Sequence, residues 1–129
     1  MFSGIIKKNR GRFDPKERKV FTMALDWAEM QKIQQQLREK YREQWGDLSP
    51  EEGRSQLLWM MIEAGEAADV IKKQGDNAIM NEPAARAHFV EELCDVIMFF
   101  NEVMLCYSVS PQELETAYRE KHEKNMNRW

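Results

Sequence analysis

Two stretches of the chain are largely apolar and interrupted chiefly by acids. Leu57 to Ile71, LLWMMIEAGEAADVI, carries Glu63, Glu66 and Asp69 as its only charges. His88 to Tyr107, HFVEELCDVIMFFNEVMLCY, follows the same scheme, with Glu92 and Asp95 ahead of an apolar run. A third segment, from Phe21 to Trp45, places Trp27, Met30, Ile33, Leu37, Tyr41 and Trp45 at three- and four-residue steps. That spacing is helical, and no period-two alternation appears anywhere. Gln31, Gln34, Gln35 and Gln36 lie among the apolar positions of this first helix.

Punctuation divides the pattern into four helices. Gly46-Asp47 ends the first. Ser49-Pro50-Glu51-Glu52 reads as a capping box, with Ser49 as N-cap, Pro50 at the first position and Glu52 at the third. Gly53 weakens that start and moves the expected regular helix toward Ser55. Gly75 is a natural stop after Gln74. Gly75 to Pro83 reads as a loop, and Pro83 opens a helix running to about Ser108. Ser110-Pro111-Gln112-Glu113 is a second capping box, opening a last helix to about Asn127. Short loops between four such helices predict an all-α, four-helix bundle-like architecture.

The acids fall at helical spacing. Gln56, Trp59, Glu63, Glu66 and Val70 share one face of the second helix. His88, Glu92, Asp95, Phe99 and Glu102 share one face of the third. Carboxylates on apolar helices are costly to bury without a partner, and adjacent ones repel. If the two faces meet, they present a set of oxygen ligands suited to Mg²⁺, or Mn²⁺ in its place. Each pair alone also fits a solvated acidic stripe; two pairs on two apolar helices favour convergence. Asp69 lies off the Glu63 axis and reads as a surface residue. On the last helix Lys121, Asn125 and Arg128 fall on one face, which suggests a metal-bound polyphosphate whose remaining charge Lys121 and Arg128 would neutralise. The same three residues also fit a solvated C-terminal segment with favourable dipole charge. His88 and His122 read as surface or hydrogen-bonded residues, and Trp27 and Trp59 as core or as walls of a base pocket.

Composition narrows the classes. The 129 residues suffice for one modest core. A net charge of -3 implies no bulk attraction to nucleic acid. The charge is uneven: residues 1–20 hold seven Lys/Arg against Asp14 and Glu17. They read as a basic, flexible N-terminal arm ahead of a domain spanning residues 21–129. No apolar run reaches a membrane span, and the N-terminus lacks the apolar core of a secretory signal. Cys94 and Cys106, twelve apart on one helix, cannot pair. They read as small core residues of a cytoplasmic protein.

Glu63-x-x-Glu66, a gap of 25 residues, then Glu92-x-x-Asp95 resembles the E-x-x-E…E-x-x-D signature of the all-α nucleoside triphosphate pyrophosphohydrolases, the MazG-like superfamily. IEAGEAADVIKK resembles its first acidic helix and VEELCDVIMFFNEV its second. YREKHEKNMNRW resembles its terminal K-x-x-x-N motif, carried by Lys121 and Asn125. The resemblance covers residues 23–129. It implies Mg²⁺-dependent cleavage between the α- and β-phosphates of a (d)NTP, house-cleaning of the nucleotide pool, and a homo-oligomer, a dimer or tetramer. By position, Glu63, Glu66, Glu92 and Asp95 would hold the metal and form the catalytic group. Lys121 and Asn125 would contact phosphate, with Arg128 assisting. Trp27, Gln31, Gln34 and Trp59 are the candidates for reading the base. Phe99 stands where some relatives place a Tyr, so any contact made by that hydroxyl is missing. Phosphoribosyl-ATP pyrophosphohydrolase is the alternative within the superfamily. A non-catalytic helical interaction module is the alternative outside it. A di-iron carboxylate bundle needs Glu-x-x-His pairs, which neither histidine supplies.

Overall fold

The computed structural model describes residues 24–129, all-α with six helices and no strand among those residues. The arm expected at residues 1–20, and the start expected for the first helix, lie outside that range. Asp26 opens α1 (Trp27–Lys40) by accepting a hydrogen bond from the Glu29 backbone at 2.8 Å. The chain breaks at Tyr41, whose ring stacks on Trp45 at 5.1 Å, and resumes as the single turn α2 (Arg42–Trp45). Gly46 ends that turn at φ 73°, a conformation that L side chains rarely adopt.

The helix α3 (Pro50–Gln74) starts at Pro50 rather than near Ser55. Ser49 caps it by accepting from the Glu52 backbone at 3.1 Å. Gly53 does not delay the start because it is a packing position. A Cβ there would lie 2.5 Å from a Tyr107 ring carbon and 2.9 Å from the Cys106 Cβ. The absent side chain is what lets the end of the partner helix come this close. Gly75 stops α3 as expected, at φ 84°. The expected loop beyond it contains a short helix, α4 (Asp76–Asn81), pinned by the buried Ile79. Then come α5 (Pro83–Cys106) and α6 (Pro111–Met126). Ser110 and Glu113 make both reciprocal bonds of a capping box, at 3.1 and 2.8 Å.

The centre of the molecule is the antiparallel pair α3 and α5. Three contacts fix its register: Gln74 with His88, Glu63 beside Glu92 and Asp95, and Gly53 against Cys106 and Tyr107. Phe99, fully buried, anchors it, an aromatic burial of about 2 to 3 kcal/mol. Ala67, Val70, Met104 and Cys106 complete this core. Cys94 is exposed, so only Cys106 is the small core residue that both were expected to be.

The helix α1 packs on α5 through an unexpected face. Its most buried residues are polar, Gln34 and Arg38, while Ile33 of the apolar ladder is 40% exposed. The reason is Glu102 on α5, 1% exposed. Gln34 donates to Glu102 Oε1 at 2.6 Å, and Arg38 Nε lies 3.3 Å from Oε2. Arg38 also faces Glu52 at 3.9 Å, and Glu52 accepts from Gln56 at 2.7 Å. A buried carboxylate demands donors, and those demands turn the polar face of α1 inward. Burial pushes the Glu102 carboxyl above its ordinary range, against the Gln34 hydrogen bond and the Arg38 charge, which pull it down.

The last helix does not lie alongside the α3–α5 pair. It turns 113° away from α5 and packs on α1. No single helix among the described residues is long and apolar enough to cross a membrane.

Candidate metal centre

The antiparallel register sets Glu63 of α3 opposite Glu92 and Asp95 of α5. One carboxylate oxygen from each lies within 4.8 Å of the others. Glu63 and Asp95 are buried, at 8% and 2% exposure, and Glu92 is half-buried. Glu63 meets no hydrogen-bond donor or cationic side chain among the described residues. Its carboxyl is accordingly held above the ordinary value near 4.5. Burial is the main cause, followed by the charges of Asp95, Glu92 and Glu66.

Glu66, the fourth expected ligand, is exposed and outside this group of three. It sits one turn along α3 from Glu63, near enough for its charge to raise the Glu63 carboxyl.

The donor set fits a hard divalent cation. It offers oxygens only, from three carboxylates that otherwise repel one another in a partly dry site. A cation there would offset the repulsion among the three carboxylates.

Other expected site residues are dispersed. Trp59 is 38% exposed on α3. Gln31 donates to the Val109 carbonyl at 3.0 Å, and Gln34 to Glu102, so both amides already serve the packing of α1. Lys121, Asn125 and Arg128 are exposed on or just beyond α6, and Arg128 lies 5.5 Å over the Trp129 ring. A cleft of about 700 Å³ opens between α1 and α6, lined by Trp27, Tyr118, Arg119, His122 and Met126 among others. Trp27, half-buried at its edge, also meets Phe100 edge to face at 5.5 Å.

Two residues at the centre were not singled out as functional by the sequence reading. His88 Nε2 lies 3.0 Å from Glu92 Oε1, and Gln74 Nε2 lies 3.2 Å from His88 Nδ1. The four-residue spacing from His88 to Glu92 was a readable signal; the Gln74 contact depends on how α3 ends against α5.

Set against known protein families, curated proteins and solved structures, the chain matches none of them.

Proposed function

We propose that this chain is a Mg²⁺-dependent nucleoside triphosphate pyrophosphohydrolase of the MazG-like, all-α type. It would convert a (d)NTP and water to (d)NMP and pyrophosphate. The observation that carries the reading is the convergence of Glu63, Glu92 and Asp95 from two apolar helices to within 4.8 Å. These three would hold the metal, with Glu66 at the rim. A divalent cation held by Glu63, Glu92 and Asp95 would supply an activated water and charge neutralisation for phosphate oxygens. The net reaction would join a water oxygen to the α-phosphorus, break the α-phosphorus bond to the bridging oxygen and release pyrophosphate, with the water proton passing to a carboxylate of the group or to solvent. The carboxylates of this chain position the reacting group. Trp27, a candidate for reading the base, lines the cleft between α1 and α6 with Tyr118 and His122, and none of the three carboxylates lines that cleft.

The reading includes self-association. Leu58, Met61 and Ile62 are exposed on the side of α3 opposite its buried face, and Val90, Leu93 and Ile97 on the corresponding side of α5. Apolar stripes of this extent mark interaction surfaces. They equally suit a non-catalytic interaction module, so activity must decide between the two.

The test is incubation with Mg²⁺ and a panel of NTPs and dNTPs, with product identification. Monophosphate and pyrophosphate should appear, and Glu63→Gln and Glu92→Gln should each abolish them. If none is cleaved by a folded protein, phosphoribosyl-ATP is the next substrate. Failure there as well leaves the interaction module.

A further inference from the structure

The contact between His88 and Glu92 has a definite polarity. An ionised carboxylate only accepts hydrogen bonds, so at 3.0 Å the His88 Nε2 must carry the proton and donate it to Glu92 Oε1. In the neutral imidazole Nδ1 is then an acceptor, and the Gln74 amide nitrogen stands 3.2 Å away to donate to it. Gln74 is the last residue of α3. Its position is set by the Gly75 turn, whose N–H returns to the Ile71 carbonyl at 2.9 Å. The chain Gln74–His88–Glu92 thus ties the C-terminal end of α3 to the carboxylate that faces Glu63 and Asp95.

We infer that His88, held in its Nε2–H tautomer by Gln74, is a positioning residue that orients the Glu92 carboxylate as a metal ligand. This rests on the metal-centre reading above. Glu92 is the least buried of the three carboxylates, and its side chain has rotatable bonds that packing alone does not fix. One oxygen committed to His88 restricts rotation of the group and so limits the orientations in which it can meet a cation. Partners of this kind, one step removed from the ion, govern metal affinity.

The experiment measures Mn²⁺ binding to the full chain by electron paramagnetic resonance. The variants are His88→Phe, His88→Gln and Gln74→Ala, with Glu63→Gln as the ligand control. His88→Phe keeps a ring and removes the donor, and should weaken Mn²⁺ by about 10- to 100-fold. His88→Gln restores an N–H that can reach Glu92, and should recover most of the affinity. Gln74→Ala should weaken binding less than His88→Phe. The His88 side chain is 48% exposed, so the metal-free melting temperatures of its variants should match the wild type. Equal Mn²⁺ affinity in wild type and His88→Phe would overturn the positioning role and leave the metal centre standing. So would a His88→Gln variant as weak as His88→Phe. A cooperatively folded wild type that binds no Mn²⁺ would remove the metal centre itself, and this inference with it.

Discussion

Replacing Glu63 by Gln should stabilise the metal-free protein while destroying its response to metal. In the absence of a cation, Glu63 faces Glu92 and Asp95 at 4.8 Å or less. Two unit charges at that separation repel by about 1 kcal/mol in bulk water and about 3.5 kcal/mol at an effective dielectric near 20. Glu63 meets two such neighbours. Glu92 is partly solvated, which moves the value toward the lower figure, and the unfolded chain feels little of either. A relief of about 2 kcal/mol follows for the neutral isostere, at a cost of little volume. For a chain of this length that is a rise of roughly 8 °C in Tm. The assay is calorimetric melting in EDTA at low ionic strength, repeated in about 1 M salt, where a Debye length near 3 Å should shrink the difference. In Mg²⁺ or Mn²⁺ the order should reverse: the wild type rises by mass action and Glu63→Gln does not. A lower Tm for Glu63→Gln in EDTA would refute the account of mutual repulsion. An equal metal-induced rise in both proteins would refute Glu63 as a ligand.

Other consequences can be measured on the same protein. Because the Glu63 and Glu102 carboxyls sit above their ordinary range in the folded state, the native protein binds more protons than the unfolded chain between the two values. Metal-free stability contributed by these two groups should therefore fall as pH rises above the ordinary carboxylate value of 4.5, and a urea midpoint that rises with pH over that range would contradict it. Arg38→Ala strips Glu102 of its cation at 1% exposure and should cost about 3 kcal/mol or more by urea denaturation, partly recovered in Arg38→Ala/Glu102→Gln. Gly53→Ala forces a methyl group against Tyr107 and Cys106 and should destabilise by about 1 to 3 kcal/mol, despite the higher helix propensity of Ala. Under the proposed self-association, Met61→Glu, at a position 64% exposed, should leave a smaller species by sedimentation than the wild type without loss of helix content; equal sedimentation of both would count against that association.

The local signals in this chain are strong enough to be read one residue at a time. Ser49, Ser110, Pro50, Pro83, Pro111 and Gly75 act within a turn of their own position. The starts at Pro83 and Pro111 and the stop at Gly75 followed from them directly, and both capping serines make the bond expected of them, whereas the start at Pro50 rather than near Ser55 and the break at Tyr41 did not. The carboxylate faces of α3 and α5 were legible because helical spacing is fixed at 3.6 residues per turn. What spacing could not decide is which of those acids point at each other. That depends on the antiparallel register of α3 against α5, which Gly53 helps set by letting Tyr107 close in. The register brings Glu63, Glu92 and Asp95 together and leaves Glu66 at the rim.

Burial of a polar residue is likewise a property of its partners. Gln34 reads as a candidate for contacting the base and Arg38 carries no signal of its own, because their own helix offers them no reason to be inside. Glu102, 68 and 64 positions away in the chain, supplies that reason. The direction of α6 was also undetermined by sequence. Its Ser110 cap fixes where the helix begins, whereas the turn at Ser108, with φ 55°, belongs to the 113° change of direction that lays it on α1. The sequence by itself determined the helices and the chemistry each carries on its surface. The tertiary structure decided which of those surfaces meet, because register, close approach and the pairing of buried charge are set by residues far apart in the chain.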